Sequence, residues 1–302
     1  MSLPIVYHPD YMAPLRQGHR FPMSKYGYLR AALQRAGLLP EPGGYIAPAP
    51  ASLTQIAAVH DLAYVERAFA TRLSAVETRR IGLPNTERVV RRARLSASGT
   101  TLAARLALEH GIACYAAGGS HHAGPEGGAG VCVCNDVAVA ARTLLDEGVV
   151  RRILIVDCDV HQGDGTARIY ADEDRVFTLS FHAEKNYPAR KALSDCDVPL
   201  PDNLADRPYL ETLAHHLTPL WDQVRPDLVF YNGGVDPHRD DRLGRLGLSD
   251  DGLRARDRSV LSAARSRGVP VVGVLGGGYA SDPAQVAARH ALMFEEAARV
   301  AA

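Results

Sequence analysis

The sequence predicts an α/β fold with a mostly parallel central sheet and helices on both faces. Strand-like runs alternate with segments of helical spacing, the order that βαβ units produce. One strand candidate, Ile153–Val156, is a continuous aliphatic run, which is typical of a strand buried on both faces. The 302 residues, 46% hydrophobic and 23% charged, are enough for one large core. We therefore predict a single domain over residues 1–302.

The first third of the chain is predicted to be mainly helical. One short strand is expected at Pro4–Tyr7, before a turn-rich segment that contains the residues HRFP at 19–22. Helical spacing then marks Tyr26–Ala36, Ser52–His60 and Leu62–Ala70. Asn85–His110 is predicted as one long helix or two abutting ones, closed by Gly111.

Strands and helices alternate regularly from Ile112 onward. The predicted strands are Ile112–Ala117, Ile153–Val156, Arg175–His182, Leu228–Asn232 and Val271–Leu275. The predicted helices are Asp136–Glu147, Tyr209–Val224, Ser249–Arg267 and Ser281–Ala302, the first capped by Asn135. Most of these strands run directly into glycine and polar residues. In a parallel sheet such loops meet along one edge, where ligands bind.

The chemically active residues begin where the central strand stops. In ILIVDCDVHQGDG, residues 153–165, Asp157, Asp159 and His161 lie on one side of an extended chain because side chains alternate along it. Carboxylate and imidazole groups suit a catalytic divalent metal, which usually takes a third protein ligand and leaves one position open. We therefore predict a metal site here. A strand end that carries only solvated polar residues is the simpler alternative.

Three other strand-end loops supply further candidates. GGSHH contributes His121 and His122, and GGVDPH contributes Asp236 as the natural third metal ligand. GGGYA contributes Tyr279 as a phenol donor on a backbone freed by glycines. We expect all of these side chains to converge at the same edge of the sheet.

Charge and cysteine content narrow the class of protein. With 34 acidic and 34 basic residues the formal net charge is zero, so the sequence gives no electrostatic sign of nucleic-acid or membrane binding. The five cysteines are odd in number and lie mostly in apolar, strand-like surroundings, which favours reduced thiols. The amino terminus lacks signal-peptide features and no run approaches membrane-spanning length. We expect a cytoplasmic protein without direct nucleic-acid or membrane partners.

Four sequence blocks resemble a known family in their order and spacing. They are GGSHHAGPEGGAGVCVCND, VDCDVHQGDG, GGVDPH and LGGGY. They resemble the histone deacetylase superfamily of zinc amidohydrolases, whose fold is arginase-like α/β. The HQG form, together with IGLPNTERVVRRARLSASGT and HAEKNYP, looks most similar to the class IV, histone deacetylase 11-like branch and its bacterial relatives. The resemblance implies one such catalytic domain.

The resemblance also implies a role for each matching residue. Asp159, His161 and Asp236 match the zinc ligands; His121 and His122 match the tandem histidines, paired with Asp157 and Asp164; Tyr279 matches the oxyanion tyrosine. Asp157, Asp159, His161, Ser180 and Phe181 match an inner K+ site, and Gly130, Cys132 and Tyr187 match positions lining the acyl channel. Val131 stands where the family usually has Phe. One aromatic wall is therefore missing unless Phe181 or a residue of HRFP replaces it.

The implied activity is zinc-dependent hydrolysis of N-acyl amides. His122 would be the general base, His121 would assist electrostatically, and Tyr279 with zinc would stabilise the oxyanion. Acyl-lysine on proteins is the leading substrate, and small acylated amines such as acetylpolyamines are the alternative. The missing wall and the class IV resemblance favour bulkier acyl groups. A binuclear manganese ureohydrolase would need further bridging ligands, and a non-catalytic acyl- or protein-binding module would be favoured by loss of a ligand or of Tyr279.

Overall fold

The computed structural model describes residues 3–302, and its centre is one all-parallel sheet of seven strands. The strands are β1 (Ile5–Val6), β2 (Ile112–Tyr115), β3 (Ile153–Asp157), β4 (Val176–Ala183), β5 (Cys196–Leu200), β6 (Leu228–Asn232) and β7 (Val271–Val274). Their order is β1-β2-β7-β6-β3-β4-β5. Because β3 lies between β6 and β4, Asp157 is opposite both Asn232 and Ser180. The predicted α/β class is confirmed.

Ten α-helices cover the sheet in the described part of the chain. They are α1 (Lys25–Arg35), α2 (Leu53–Ala57), α3 (Leu62–Phe69), α4 (Ala75–Ile81), α5 (Glu87–His110), α6 (Asp136–Asp146), α7 (Asp164–Ile169), α8 (Asp206–Val224), α9 (Asp250–Arg265) and α10 (Pro283–Ala301). Helix α5 packs against β2 and α6, whereas α10 packs against α1 and α9. Strands β3, β6 and β7 are fully buried between the helices, as their continuous apolar sequences predict.

Local sequence signals account for most element boundaries. Asn135 accepts a hydrogen bond from the Ala138 backbone N–H at the start of α6, and Gly111 ends the single helix α5 at a φ of 82°. The prediction missed α4, α7 and β5 because each has only five to seven residues. Strand β5 also contains Pro199, which is tolerated because β5 is an edge strand.

Among residues 3–302, no helix has both the length and the apolar character needed to cross a bilayer. The five cysteines are all free thiols, and four of them are buried.

Candidate active site

The carboxyl end of β3 forms the floor of the site. Strand β3 ends at Asp157, so the predicted alternation of side chains does not extend to residues 159 and 161. Hydrogen bonds replace it: the Asp159 N–H donates to Asp157 Oδ1 at 3.1 Å, and the His161 N–H donates to Asp159 Oδ1 at 3.0 Å. These bonds turn the chain so that Asp159 and His161 lie beside each other at the end of β3.

Asp159, His161 and Asp236 form a compact group of possible metal ligands. One donor atom from each lies within 4.8 Å of the others, and no other such group of three occurs among the described residues. His161 Nδ1 is 3.0 Å from Asp159 Oδ1 and 3.2 Å from Asp236 Oδ2. Asp236 reaches the group from the loop after β6, where its Oδ1 accepts the Val160 N–H at 2.9 Å. The structure thus brings the predicted ligands together.

The electrostatics of this group fit a divalent cation. Asp236 Oδ2 is buried and accepts no hydrogen bond, although it lies 3.2 Å from His161 Nδ1, and a buried carboxylate oxygen without a hydrogen bond is costly. Burial and the Asp159 carboxylate raise the pKa of Asp236 to about 7. Burial alone would lower the pKa of His161, but its contacts with Asp159 and Asp236 raise it to about 10. Two oxygen donors and one imidazole nitrogen are suitable ligands for zinc.

The adjacent histidines are each oriented by a carboxylate. His121 Nδ1 donates to Asp157 Oδ2 at 2.6 Å, and His122 Nδ1 donates to Asp164 Oδ1 at 2.7 Å. Arg168 Nη2 also lies 2.8 Å from Asp164 Oδ2. Because a carboxylate accepts hydrogen bonds, both rings carry a hydrogen on Nδ1. The pairings are those predicted from the sequence.

The pKa values of the two histidines are nevertheless shifted in opposite directions. Burial would lower the pKa of His121, but the charges of Asp157 and Asp159 outweigh it and raise that pKa to about 9. Burial and the neighbouring charge of His121 lower the pKa of His122 to about 4, and Asp164 offsets this only in part. At neutral pH, His121 is therefore a cation and His122 is a neutral ring with a free Nε2.

The glycine loop after β7 closes over the metal-ligand group. The Gly277 N–H donates to Asp159 Oδ2 at 2.6 Å, and a Cβ at this residue would lie 2.0 Å from Asp236 Oδ2, so only glycine fits. The second residue after Gly277 is Tyr279, whose ring centroid lies 6.1 Å from that of His161. Burial and the nearby Asp159 and Asp236 carboxylates raise the pKa of Tyr279 well above its ordinary value, so the phenol keeps its proton.

Three supporting residues were not predicted. Asn232 donates to Asp157 Oδ1 at 2.9 Å, and Asp241 Oδ2 accepts the Tyr279 N–H at 2.6 Å. Lys25 is fully buried on α1; its Nζ donates to Gly276 O at 3.3 Å and lies 3.4 Å from His290 Nε2. Lys25 is one of only three lysines in the chain. The only sign of this role in the sequence was that Lys25 is a rare lysine next to the apolar residues of a helix.

A channel of about 250 Å³ leads to the floor. Tyr187 forms one wall, with its ring centroid 4.8 Å from that of His122, and Phe21 forms another, 6.4 Å from Tyr279. Phe21 belongs to the HRFP segment, so this segment replaces the missing ring. Phe181 does not, because it is buried against Tyr209.

Val131 lines the channel with an unusual backbone. Its φ is 60°, which is rare for a β-branched residue and costs on the order of 1–3 kcal/mol. The Val131 N–H donates to Ile81 O at 2.7 Å, which ties this segment to the end of α4. The preceding Gly130 also lines the channel. Cys132 is buried beside it, and burial raises the pKa of its thiol to about 12, so it is not a nucleophile.

The predicted K+ residues lie together, but no observation tests their role. Asp157 is opposite Ser180 in the β3–β4 register, and Phe181 follows on β4. The K+ site stays a prediction.

Comparisons with known proteins agree with this geometry. A family model for the histone deacetylase domain matches residues 19–294. The chain is 48% identical to an uncharacterised protein of Picosynechococcus sp., covering 98% of this chain and 99% of the relative. It is 31% identical to histone deacetylase 2 of Arabidopsis thaliana, over 94% of this chain and 76% of that relative. It is 29% identical to a probable deacetylase of Archaeoglobus fulgidus, over 93% of this chain and 82% of that relative.

The crystal structure of the HDA15 HD domain superposes with a TM-score of 0.79, covering 97% of this chain and 90% of that one. At 23% identity this likeness shows the shared fold.

Proposed function

The chain belongs to the histone deacetylase family, and from this premise we propose that it is a zinc-dependent hydrolase that removes acyl groups from protein lysine side chains. The observation that carries the proposal is the group Asp159, His161 and Asp236 at the base of a channel that also contains His122 and Tyr279. The family membership supports deacetylase or deacylase activity in general. Zinc dependence and the lysine substrate are our own assignments.

Asp159, His161 and Asp236 would hold the zinc ion, and the buried Asp236 Oδ2, which accepts no hydrogen bond, supports this assignment. A bound zinc ion supplies Lewis acidity that polarises the amide carbonyl and acidifies water. We also propose the inner K+ site at Asp157, Asp159, His161, Ser180 and Phe181.

His122 is suited to be the general base. Its low pKa keeps the ring neutral, and Asp164 occupies Nδ1, so Nε2 is free to accept a proton from the attacking water. The water oxygen bonds to the carbonyl carbon and the carbon–nitrogen bond breaks. His122 then returns its proton to the leaving amine, so the products are a carboxylic acid and an amine, which become a carboxylate and an ammonium ion when the acid gives up its remaining proton.

His121 and Tyr279 would stabilise charge. His121 is cationic near neutral pH and places positive charge beside the reacting carbonyl. The protonated phenol of Tyr279 donates a hydrogen bond to the oxyanion, an interaction typically worth several kcal/mol. Asp241 fixes the Tyr279 backbone, so the donor is already oriented.

We propose that the protein acts in the cytoplasm, since its five cysteines are free.

A substrate panel tests the proposal. The zinc-loaded protein is assayed with peptides that carry acetyl-lysine or a long-chain acyl-lysine, and with acetylated polyamines. We expect hydrolysis of acyl-lysine peptides that a chelator abolishes and zinc restores. Faster turnover of the polyamines would assign the small-amine alternative, and peptide binding without turnover by the zinc-loaded protein would assign a binding module.

A further inference from the structure

The mouth of the channel is surrounded by arginines. Arg20 lines the channel itself. Arg16, Arg20 and Arg242 line an adjoining depression of about 260 Å³, and Arg16 and Arg79 line a third of about 740 Å³. We call these four residues, Arg16, Arg20, Arg79 and Arg242, the arginine rim. All four side chains are exposed.

The three depressions form one continuous surface. The channel and the second depression share Arg20 and Phe21, and the second and third share Arg16 and His19. The third depression also reaches the channel wall, because a Cβ on Gly82 would lie 3.9 Å from Val131 Cγ1. A substrate whose acyl group enters the channel can therefore extend along this surface.

The positive charge of the rim is not neutralised by the protein. None of the depressions is lined by an aspartate or glutamate, and across residues 3–302 no carboxylate lies within 4.0 Å of a rim guanidinium nitrogen. The nearest carboxylates in sequence are committed elsewhere: Glu77 pairs with Arg67, and Asp241 accepts the Tyr279 N–H. The rim is thus a local excess of positive charge on a chain with a formal net charge of zero.

We propose that the arginine rim selects acyl-lysine segments flanked by acidic residues and disfavours polycationic substrates. This inference rests on the proposed function. In an extended peptide each residue spans about 3.3–3.6 Å, so carboxylates one to three positions from the acyl-lysine reach the rim. Single exposed ion pairs contribute little, but several charges of one sign steer and hold an oppositely charged substrate. Such attraction weakens with salt.

Three capped peptides test the proposal. They have equal length and the same central acyl-lysine, with acidic, neutral or basic flanks. At ~0.02 M salt we expect kcat/KM for the acidic peptide to exceed that of the neutral one about tenfold, and at ~0.5 M salt we expect the ratio to approach one. The basic peptide and acetylated polyamines should be the poorest substrates.

Matched variants assign the preference to the rim. Arg16→Gln/Arg20→Gln should reduce the acidic-to-neutral ratio to about twofold or less. Arg35→Gln/Arg151→Gln removes the same charge from exposed arginines that make no ion pair and line none of these depressions, and should keep the wild-type ratio. Melting temperatures check that both variants fold.

The outcomes separate the two proposals. If no acyl-lysine peptide is hydrolysed, the proposed function is wrong. If the peptides are hydrolysed at equal rates at low salt, or the preference survives in the rim variant, the rim inference is overturned. Free Nε-acyl-lysine that outperforms every peptide would show that the rim binds the carboxylate of a small molecule, which also overturns the peptide assignment.

Discussion

The charged groups of the floor and those of the rim lie in opposite environments. Asp157, Asp159 and Asp236 on the floor are buried and accept hydrogen bonds from backbone N–H groups, whereas the rim arginines are exposed and form no ion pair. Buried charges interact strongly because a low dielectric screens them little, so the loss of one is severe. Exposed charges are screened by water and salt, so each contributes little and their combined effect is graded. The difference indicates that the floor provides the chemistry and the rim adjusts the choice of substrate.

The largest expected effect on activity comes from a substitution on the floor. Asp236→Ala removes the carboxylate whose Oδ2 accepts no hydrogen bond, so zinc retention and activity should be lost together. Metal analysis of the purified variant and its kcat/KM measure both. Asp236→Asn is the control of similar shape, which keeps an acceptor for the Val160 N–H but loses the charge. Full zinc retention in Asp236→Ala, or two manganese ions per wild-type chain, would contradict the ligand assignment.

A smaller loss of activity is expected from a substitution at Tyr279, where the floor meets the channel. Tyr279→Phe should keep the fold and the zinc but lower kcat by roughly a hundredfold, the effect of removing one oxyanion donor. Tyr28→Phe, a change on the exposed surface of α1, is the control and should have no effect. Near-normal kcat in Tyr279→Phe would show that the phenol does not contact the oxyanion.

The pH profile tests the contrast within the floor between His121 and His122. His122 must be neutral, so activity should fall as pH drops through about 4; His121 must be cationic, so activity should fall as pH rises through about 9. Asp157→Asn removes a charge that raises the His121 pKa, so the alkaline limb of kcat/KM should shift to lower pH. An alkaline limb that stays in place would show that His121 does not set it.

The smallest effect is expected at the channel wall between floor and rim. Val131→Phe should raise kcat/KM for acetyl-lysine relative to a long-chain acyl-lysine by a few fold, because a further ring beside Tyr187 and Phe21 narrows the channel. Phenylalanine is not β-branched, so the φ of 60° should not disfavour it more than valine. Val131→Ala should shift the ratio the opposite way. An unchanged ratio in both variants would show that this residue does not determine acyl preference.

The sequence predicted the floor better than the rim. The strand β6 was predicted at its observed bounds, and the loops after β3, β6 and β7 were predictable because parallel strands place their carboxyl ends together. The supporting contacts of Lys25 and Asp241 depend on packing that no local pattern records. The rim was hidden because Arg79 and Arg242 lie far in the chain from Arg16 and Arg20, and a net charge of zero averages over the whole surface.

The strand order has a consequence for synthesis of the chain. Strand β7 is the last strand to be translated, yet it lies between β2 and β6 and joins β1-β2 to β6-β3-β4-β5. Until Val271–Val274 has left the ribosome, β2 and β6 each lack the strand that pairs with them in the finished sheet, and the loop that brings Gly277 to Asp159 does not yet exist. Open parallel edges readily pair with other chains. The late arrival of β7 therefore makes the incomplete chain vulnerable to aggregation, and a chaperone that shields β2 and β6 would protect it.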